Sequence, residues 1–239
     1  MVIDAGAKFS DKLDAGRSVI VPYLRSQGID SLDYLIVSHG DNDHIGGAQA
    51  IIDAYSSVTI LGQDIENLRA DTKQDCYEGL DWQWDGVGFE ILSPENNNNH
   101  SPKDVKRNNR SCVLRVSSNF GSVLFPGDAE RKIENRLLTL YEKQLASDVL
   151  IVPHHGSNTS SSSGFIDAVN PAIAVFSAGY KNRYKLPNKK VLSRYMMKNI
   201  KLVETAKSGA ITILFAEGSE LDIIKYRENA SKYWNHFID

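Results

Sequence analysis

Three apolar runs in this chain each end in side chains that can ligate metal. Residues 32–37 are followed by His39-Gly40-Asp41-Asn42-Asp43-His44, residues 123–125 by Pro126-Gly127-Asp128, and residues 149–152 by Pro153-His154-His155-Gly156. Short apolar runs bounded by turn residues read as buried strands. Strand tips of an α/β sheet converge on one edge, which is where such folds bind ligands. Taken singly, each feature has an ordinary reading. Asp41 or Asp43 could cap the helix that follows, Asp128 could be a turn residue, and either histidine of 154–155 could be a hydrogen-bonded, partly buried side chain. All three features in this order point to metal. Four ligand-type side chains within six residues cannot all cap one helix, and Gly46-Gly47 lets the backbone after them pack closely.

The rest of the chain fits a layered α/β arrangement. Residues 1–6 read as a short strand entering a turn, and 17–27 as a helix closed by Gly28. A helix is expected over 44–55, a strand over 58–61 and a hairpin over 82–92. Strands at 112–116 and 123–125 join through Asn119-Phe120-Gly121. A helix over 129–143, a short helix over 164–169, a strand over 172–177, a partly helical basic stretch over 181–201 and strands near 209–215 and 220–225 complete the pattern. Hairpins and single crossovers both occur, which favours a sandwich of mixed sheets with helices outside over a doubly wound parallel sheet. No linker or repeat stands out, so residues 1–239 read as one domain.

Composition excludes several classes. The 27 Lys and Arg against 30 Asp and Glu give a net charge of −3, so any polyanion must be met by local basic patches or by bound metal. No run approaches 18 apolar residues, and no signal peptide is evident. Cys76 and Cys112 have no metal-ligand spacing and read as buried free thiols, with a disulfide the alternative. His100 and His236 match no motif and read as surface or packing residues. Trp82, Trp84 and Trp234 read as core or hairpin pairs, and Asn96 to Asn99 as a polar loop.

Asp4-Ala5-Gly6, Ser38 to Gly47, Gly127-Asp128 and His154-His155-Gly156-Ser157, in that order, resemble the metallo-β-lactamase superfamily. Within it the chain is similar to the soluble hydrolase domain of ComEC-type DNA-internalisation competence proteins. The shared details are Asp41 where most relatives carry a second histidine, Val21 to Arg25 before the motif, Asn109-Arg110-Ser111 before a Val113-Leu114 strand, and His154 to Ser161. Asn108 to Ser111 occupies the region where the wider superfamily has its third-strand histidine. Relatives normally have two or three strands before the Asp-Ala-Gly turn, so the chain reads as either a fragment or a shortened domain with one sheet incomplete.

The resemblance implies a four-layer αββα sandwich and two divalent cations. His39 and Asp41 would hold one ion. Asp43, His44 and a histidine from 154–155 would hold the other, with Asp128 bridging and Asp4 steadying the cluster. The oxygen-rich donor set favours manganese over zinc or magnesium. Asp43 and Asp128 are then the catalytic carboxylates, and Asn109, Ser111, Ser157 and Thr159 the candidate substrate contacts. The expected reaction is phosphodiester hydrolysis of single-stranded DNA, with DNA the partner. Two basic stretches fit it: Lys103, Lys106, Arg107 and Arg110, and Lys181 to Arg194 with Tyr180 and Tyr184 interleaved. A solvated charged face is the plain alternative for each stretch. Other readings are a hydrolase of a small ester, lactam or nucleotide, and an inactive domain that only binds DNA or a partner. A free-standing chain would be cytoplasmic, whereas a fragment of a membrane DNA importer would sit at the inner-membrane surface.

Overall fold

The computed structural model describes residues 1–96, 106–218 and 221–230. The expectations for Asn97 to Asn99, His100, Lys103, Trp234 and His236 fall outside these residues. The chain divides into two compact units, one of residues 1–80 and 91–113, the other of residues 81–90 and 114–239.

The first unit is built on four parallel strands: β1 (Val2–Ile3), β4 (Tyr34–Val37), β5 (Thr59–Gly62) and β6 (Thr72–Asp75), in that spatial order. Between β1 and β4 lie a two-stranded ribbon, β2 (Lys8–Ser10) with β3 (Leu13–Asp14), and a helical segment. Alternation along the strands assigns the faces. Leu35, Val37 and Ile60 share a core with Val21 and Leu24 of α1 (Val21–Ser26) and with Ala48, Ile51 and Ile52 of α3 (Ala48–Ala54). Ile36 and Leu61 point the other way and are also buried. A strand buried on both faces reads as a continuous apolar run, as 34–37 does.

Two helices differ from expectation. The segment expected as one helix over 17–27 enters as a wider π turn at Gly16–Ile20 before α1. Pro22 has no N–H for the helical ladder, which accounts for the local irregularity. The helix expected over 44–55 is two pieces, α2 (Asn42–Ile45) and α3, parted at Gly46-Gly47. The Asp4–Lys8 turn lies directly on this pair. A Cβ on Gly46 would stand 2.2 Å from the Lys8 nitrogen, and one on Gly47 2.3 Å from the Ala5 oxygen. Only glycine admits that approach, and the Gly47 N–H donates to Gly6 O at 3.0 Å.

Cys76 and Cys112 form a disulfide, which corrects the reading of two free thiols. The Cys76 N–H donates to Gly62 O and the Cys112 N–H to Ser38 O. Val37 and Gly62 are register partners, so the ends of two neighbouring strands carry the cysteines together across 36 residues of sequence. Spacing alone could not show this. Closing a loop of that length constrains the unfolded chain by roughly 3–4 kcal/mol.

The second unit is organised by a seven-stranded mixed sheet. Its order is β13 (Lys201–Glu204), β12 (Ile173–Phe176), β11 (Val149–Ile151), β10 (Gly121–Phe125), β9 (Val113–Ser118), β8 (Val87–Ser93) and β7 (Asp81–Trp84). The strands from β13 to β10 run parallel, and β9 turns antiparallel to β10. The expected hairpin is β7–β8, with Trp82 stacked on Phe89 at 5.0 Å. One face of the sheet (Val149, Ile173, Val175, Val203) is covered by the hairpin of β14 (Ile211–Leu214) and β15 (Asp222–Lys225) through Ile211, Ile213 and Ile223. On the other side, Tyr195 of α6 (Lys189–Met196) meets Phe176 edge-on at 5.4 Å. The helices α4 (Arg131–Tyr141) and α5 (Ser163–Val169) contact each other and bury Leu137, Phe165 and Ile166.

Candidate metal centre

In the first unit the ligand-type residues leave the end of β4. His39 and His44 are buried, Asp41 is partly exposed and Asp43 is exposed. Asp41 takes the N-cap position of α2, yet its side chain makes no capping hydrogen bond. Its carboxylate lies 3.6 Å from His39 Nε2 and 3.5 Å from an Arg107 guanidinium nitrogen. The plain capping role for Asp41 is therefore not the one the structure shows. The His39 and His44 rings stand 4.1 Å apart. Asp43 and His44 place ligand atoms within 4.8 Å of each other.

Asp4 orders this cluster. One of its oxygens accepts from the Ser38 N–H at 2.7 Å. The other accepts from the Ser38 hydroxyl at 2.9 Å and from His44 Nδ1 at 2.7 Å. A carboxylate is acceptor-only when ionised, so His44 carries its proton on Nδ1. The Ser38 hydroxyl gives its one proton to Asp4 and so accepts from His39 Nδ1 at 3.1 Å. Both rings therefore turn a lone pair outward at Nε2, the form that binds metal.

Asp64 belongs to the same arrangement and has no place in the motif reading. Its carboxylate accepts from the Gly40 N–H at 3.1 Å and pairs with Arg110. A Cβ on Gly40 would meet the Asp64 Cβ at 2.5 Å, which explains a glycine between His39 and Asp41. The available signal was an Asp two residues past the tip of β5, the pattern seen at the other strand ends. Asn109 and Ser111 are buried in the turn Arg107–Arg110 and just after it, held against the end of β4 by the bond from Cys112 to Ser38.

In the second unit β10 delivers buried Asp128, and β11 delivers His154 and His155. The two histidines occupy left-handed backbone, φ 51° and 53°. Each such residue costs about 1–3 kcal/mol unless its surroundings impose it. Here the His154 N–H donates to Gly127 O, and both imidazoles are tied by Nδ1: His154 to the Thr159 hydroxyl at 3.0 Å, His155 to Ser177 O at 2.7 Å. A carbonyl only accepts, so His155 Nδ1 is protonated and Nε2 holds the lone pair. His154 Nε2 and His155 Nε2 each lie 3.7 Å from an Asp128 oxygen. Thr159, with Ser157 at 3.1 Å from its hydroxyl, thus orients His154.

These spacings are close to those of two ligands that share a cation. Two ligands each ~2.1 Å from one ion stand roughly 3.0–3.6 Å apart at ordinary coordination angles. With neutral imidazoles, the Asp41–His39 and Asp128–His155 pairs set a carboxylate against an imidazole lone pair at 3.6 and 3.7 Å. Two such acceptors repel, and a shared positive charge turns that repulsion into attraction.

The loop after His155 has its own supports. Buried Glu134 accepts from the backbone N–H groups of Ser161 and Ser162. Arg194 donates to the carbonyls of Ser160 and Ser161, and the Tyr195 hydroxyl meets Ser161 Oγ at 3.0 Å. Burial pushes the Glu134 carboxyl up from its ordinary value, against the pull of the Ser162 and Ser161 bonds and of Arg131. Burial likewise pushes the Tyr195 hydroxyl up.

Residues 1–180 match the metallo-beta-lactamase superfamily. The chain belongs to that superfamily. It is 41% identical over 210 residues to "Competence protein ComA" of Neisseria gonorrhoeae, covering 85% of this chain and 28% of the relative. It is 37% identical over 220 residues to "Recombination protein 2" of Haemophilus influenzae, covering 92% of this chain and 26% of the relative. The chain therefore spans little more than a quarter of these curated relatives. The metallo-beta-lactamase fold protein YhfI of Bacillus subtilis superposes with a TM-score of 0.50 at 13% identity, over 85% of this chain and 94% of that one. The expected superfamily, fold and competence-type likeness are borne out. Membership supports a metal-dependent hydrolase. Among the described residues no helix is long and apolar enough to cross a membrane.

Proposed function

We propose that this member of the superfamily is a nuclease that hydrolyses phosphodiester bonds of single-stranded DNA in DNA uptake. The observation that carries the reading is the likeness, at 41% and 37% identity over most of the chain, to proteins named for competence and recombination. The carboxylate-rich donor set supports it, because oxygen ligands suit hard cations that act on phosphates.

By the family resemblance, His39 and Asp41 would hold one divalent cation and Asp43, His44 and His155 a second, with Asp128 a further ligand. His155 is preferred over His154 because a carbonyl fixes its tautomer. Manganese is the favoured ion, with zinc or magnesium the alternatives. When bound, the ions supply a water acidic enough to attack at neutral pH and positive charge for the phosphate oxygens. The chain's own residues do the rest. Asp4 and Ser38 hold two imidazoles in the metal-binding tautomer. Asp43, exposed beside His44, would accept a proton from the attacking water. Arg107, exposed beside Asp41, offers a guanidinium to a phosphate.

The test incubates the purified chain with manganese and a labelled single-stranded oligonucleotide, beside an Asp43→Ala variant. Cleavage by the wild type, reduced at least a hundredfold in the variant, is expected. Equal cleavage by both, or cleavage by neither, overturns the reading.

A further inference from the structure

The 36 residues from 168 to 203 contain eight Lys or Arg and no Asp or Glu, in a chain whose net charge is −3. The charge is concentrated on the loop between β12 and α6 and on the first turn of α6. Lys181, Arg183, Lys185, Lys189 and Lys190 are exposed there, and among the described residues none of them pairs with a carboxylate. Tyr180 and Tyr184 stand out of the same loop, 51% and 65% exposed. Lys181 Nζ lies 5.2 Å from the Tyr180 ring centre and Arg183 Cζ 4.7 Å from that of Tyr184.

This is not a loose basic tail. The Asn182 side chain braces the loop from inside, donating to Gly179 O and Leu186 O and accepting from the Leu186 N–H. Both roots of the loop are bonded to the His155-Gly156 turn. Ser177 O accepts from His155 Nδ1 at 2.7 Å, and the Asn188 N–H donates to Gly156 O at 3.0 Å. The loop is thus fixed to the residues that carry one of the candidate metal ligands.

We infer that this loop is a docking platform for a single nucleic-acid strand, with Tyr180 and Tyr184 stacking bases and the interleaved cations meeting the phosphates. The chemistry requires unpaired bases. In a duplex the base faces are covered by their neighbours, whereas a single strand can lay them on exposed aromatic rings while its backbone follows the positive charge. The inference deepens the nuclease reading and rests on it for the choice of polyanion. An anionic lipid surface would also meet exposed tyrosines and lysines. It would not call for a loop braced by Asn182 and rooted on the histidine turn.

Binding is measured by fluorescence anisotropy with the full chain in EDTA, so that no cleavage intervenes. The probes are a labelled single strand of about 20 nucleotides, the matching duplex, and phosphatidylglycerol vesicles. The wild type is expected to bind the single strand more tightly than the duplex. The Tyr180→Ala/Tyr184→Ala variant is expected to lose at least tenfold for the single strand, since a stacked base contributes about that factor or more. The Tyr180→Phe/Tyr184→Phe variant keeps the ring faces and is expected to retain binding, which separates stacking from loss of fold. Equal affinity for strand and duplex, an alanine variant that binds as wild type, or vesicle capture that depends on the tyrosines while DNA binding does not, each overturns the platform. If the tyrosines carry strand binding and manganese produces no cleavage, the platform stands and the nuclease reading falls.

Discussion

Asp4 makes three hydrogen bonds with two oxygens and fixes the tautomers of two imidazoles. It does so from left-handed backbone, φ 58°, which Asp and Asn tolerate better than most residues. Asp4→Asn keeps that backbone and the side chain's shape but turns an NH2 towards groups that are themselves donors. Manganese affinity is expected to fall by about 10–100-fold, the usual cost of losing a partner that orients a metal ligand. Calorimetric titration reads this directly, and an unchanged affinity would remove Asp4 from the account. The candidate ligand residues were legible because each group of them follows an apolar strand. Asp64, Ser38 and Thr159 were less so as positioning groups. The Asp64–Gly40 bond spans 24 residues, and nothing local marks its geometry. Thr159, a candidate substrate contact in the sequence, also holds His154 through its hydroxyl, which no motif shows.

At the scale of elements, the turn carrying His154 and His155 is followed by a loop latched to α4. Glu134 is the latch, its carboxylate buried and accepting two successive N–H groups. Because burial raises its pKa, the folded chain holds the Glu134 proton to higher pH than the unfolded chain, whose carboxyl titrates near 4.5. Its stability contribution is therefore full below that value and is lost as pH rises through the raised folded value. Glu134→Gln removes this proton. Melting temperatures taken from about pH 4 to pH 7 should show the wild type losing more than the variant across the window. Parallel curves would mean that Glu134 does not titrate differently in the folded state. Strand and helix positions were mostly readable from periodicity. The break at Gly46-Gly47 was not, because its cause is the Asp4–Lys8 turn, about forty residues away in sequence, lying on the two glycines. β6 and β13 escaped for a related reason: Thr72–Asp75 is wholly exposed and Lys201–Glu204 only partly apolar, so neither shows the pattern of a buried strand.

At the scale of the molecule, each unit places acidic and imidazole side chains at the ends of its parallel strands, and each ties its rings by Nδ1, which leaves Nε2 as the candidate binding atom. The superfamily was readable from four short motifs because their order and strand-tip setting are together far more restrictive than any one match. The disulfide was not readable, since it depends on β4 and β5 being neighbours in register. We propose that the chain binds two divalent cations through these side chains. Manganese bound per chain, counted by equilibrium titration with electron paramagnetic resonance detection of the free ion, tests it most directly. About two ions per wild-type chain are expected, with the count reduced in Asp128→Ala. No binding at saturating manganese, or the same count and affinity in Asp128→Ala, would contradict it.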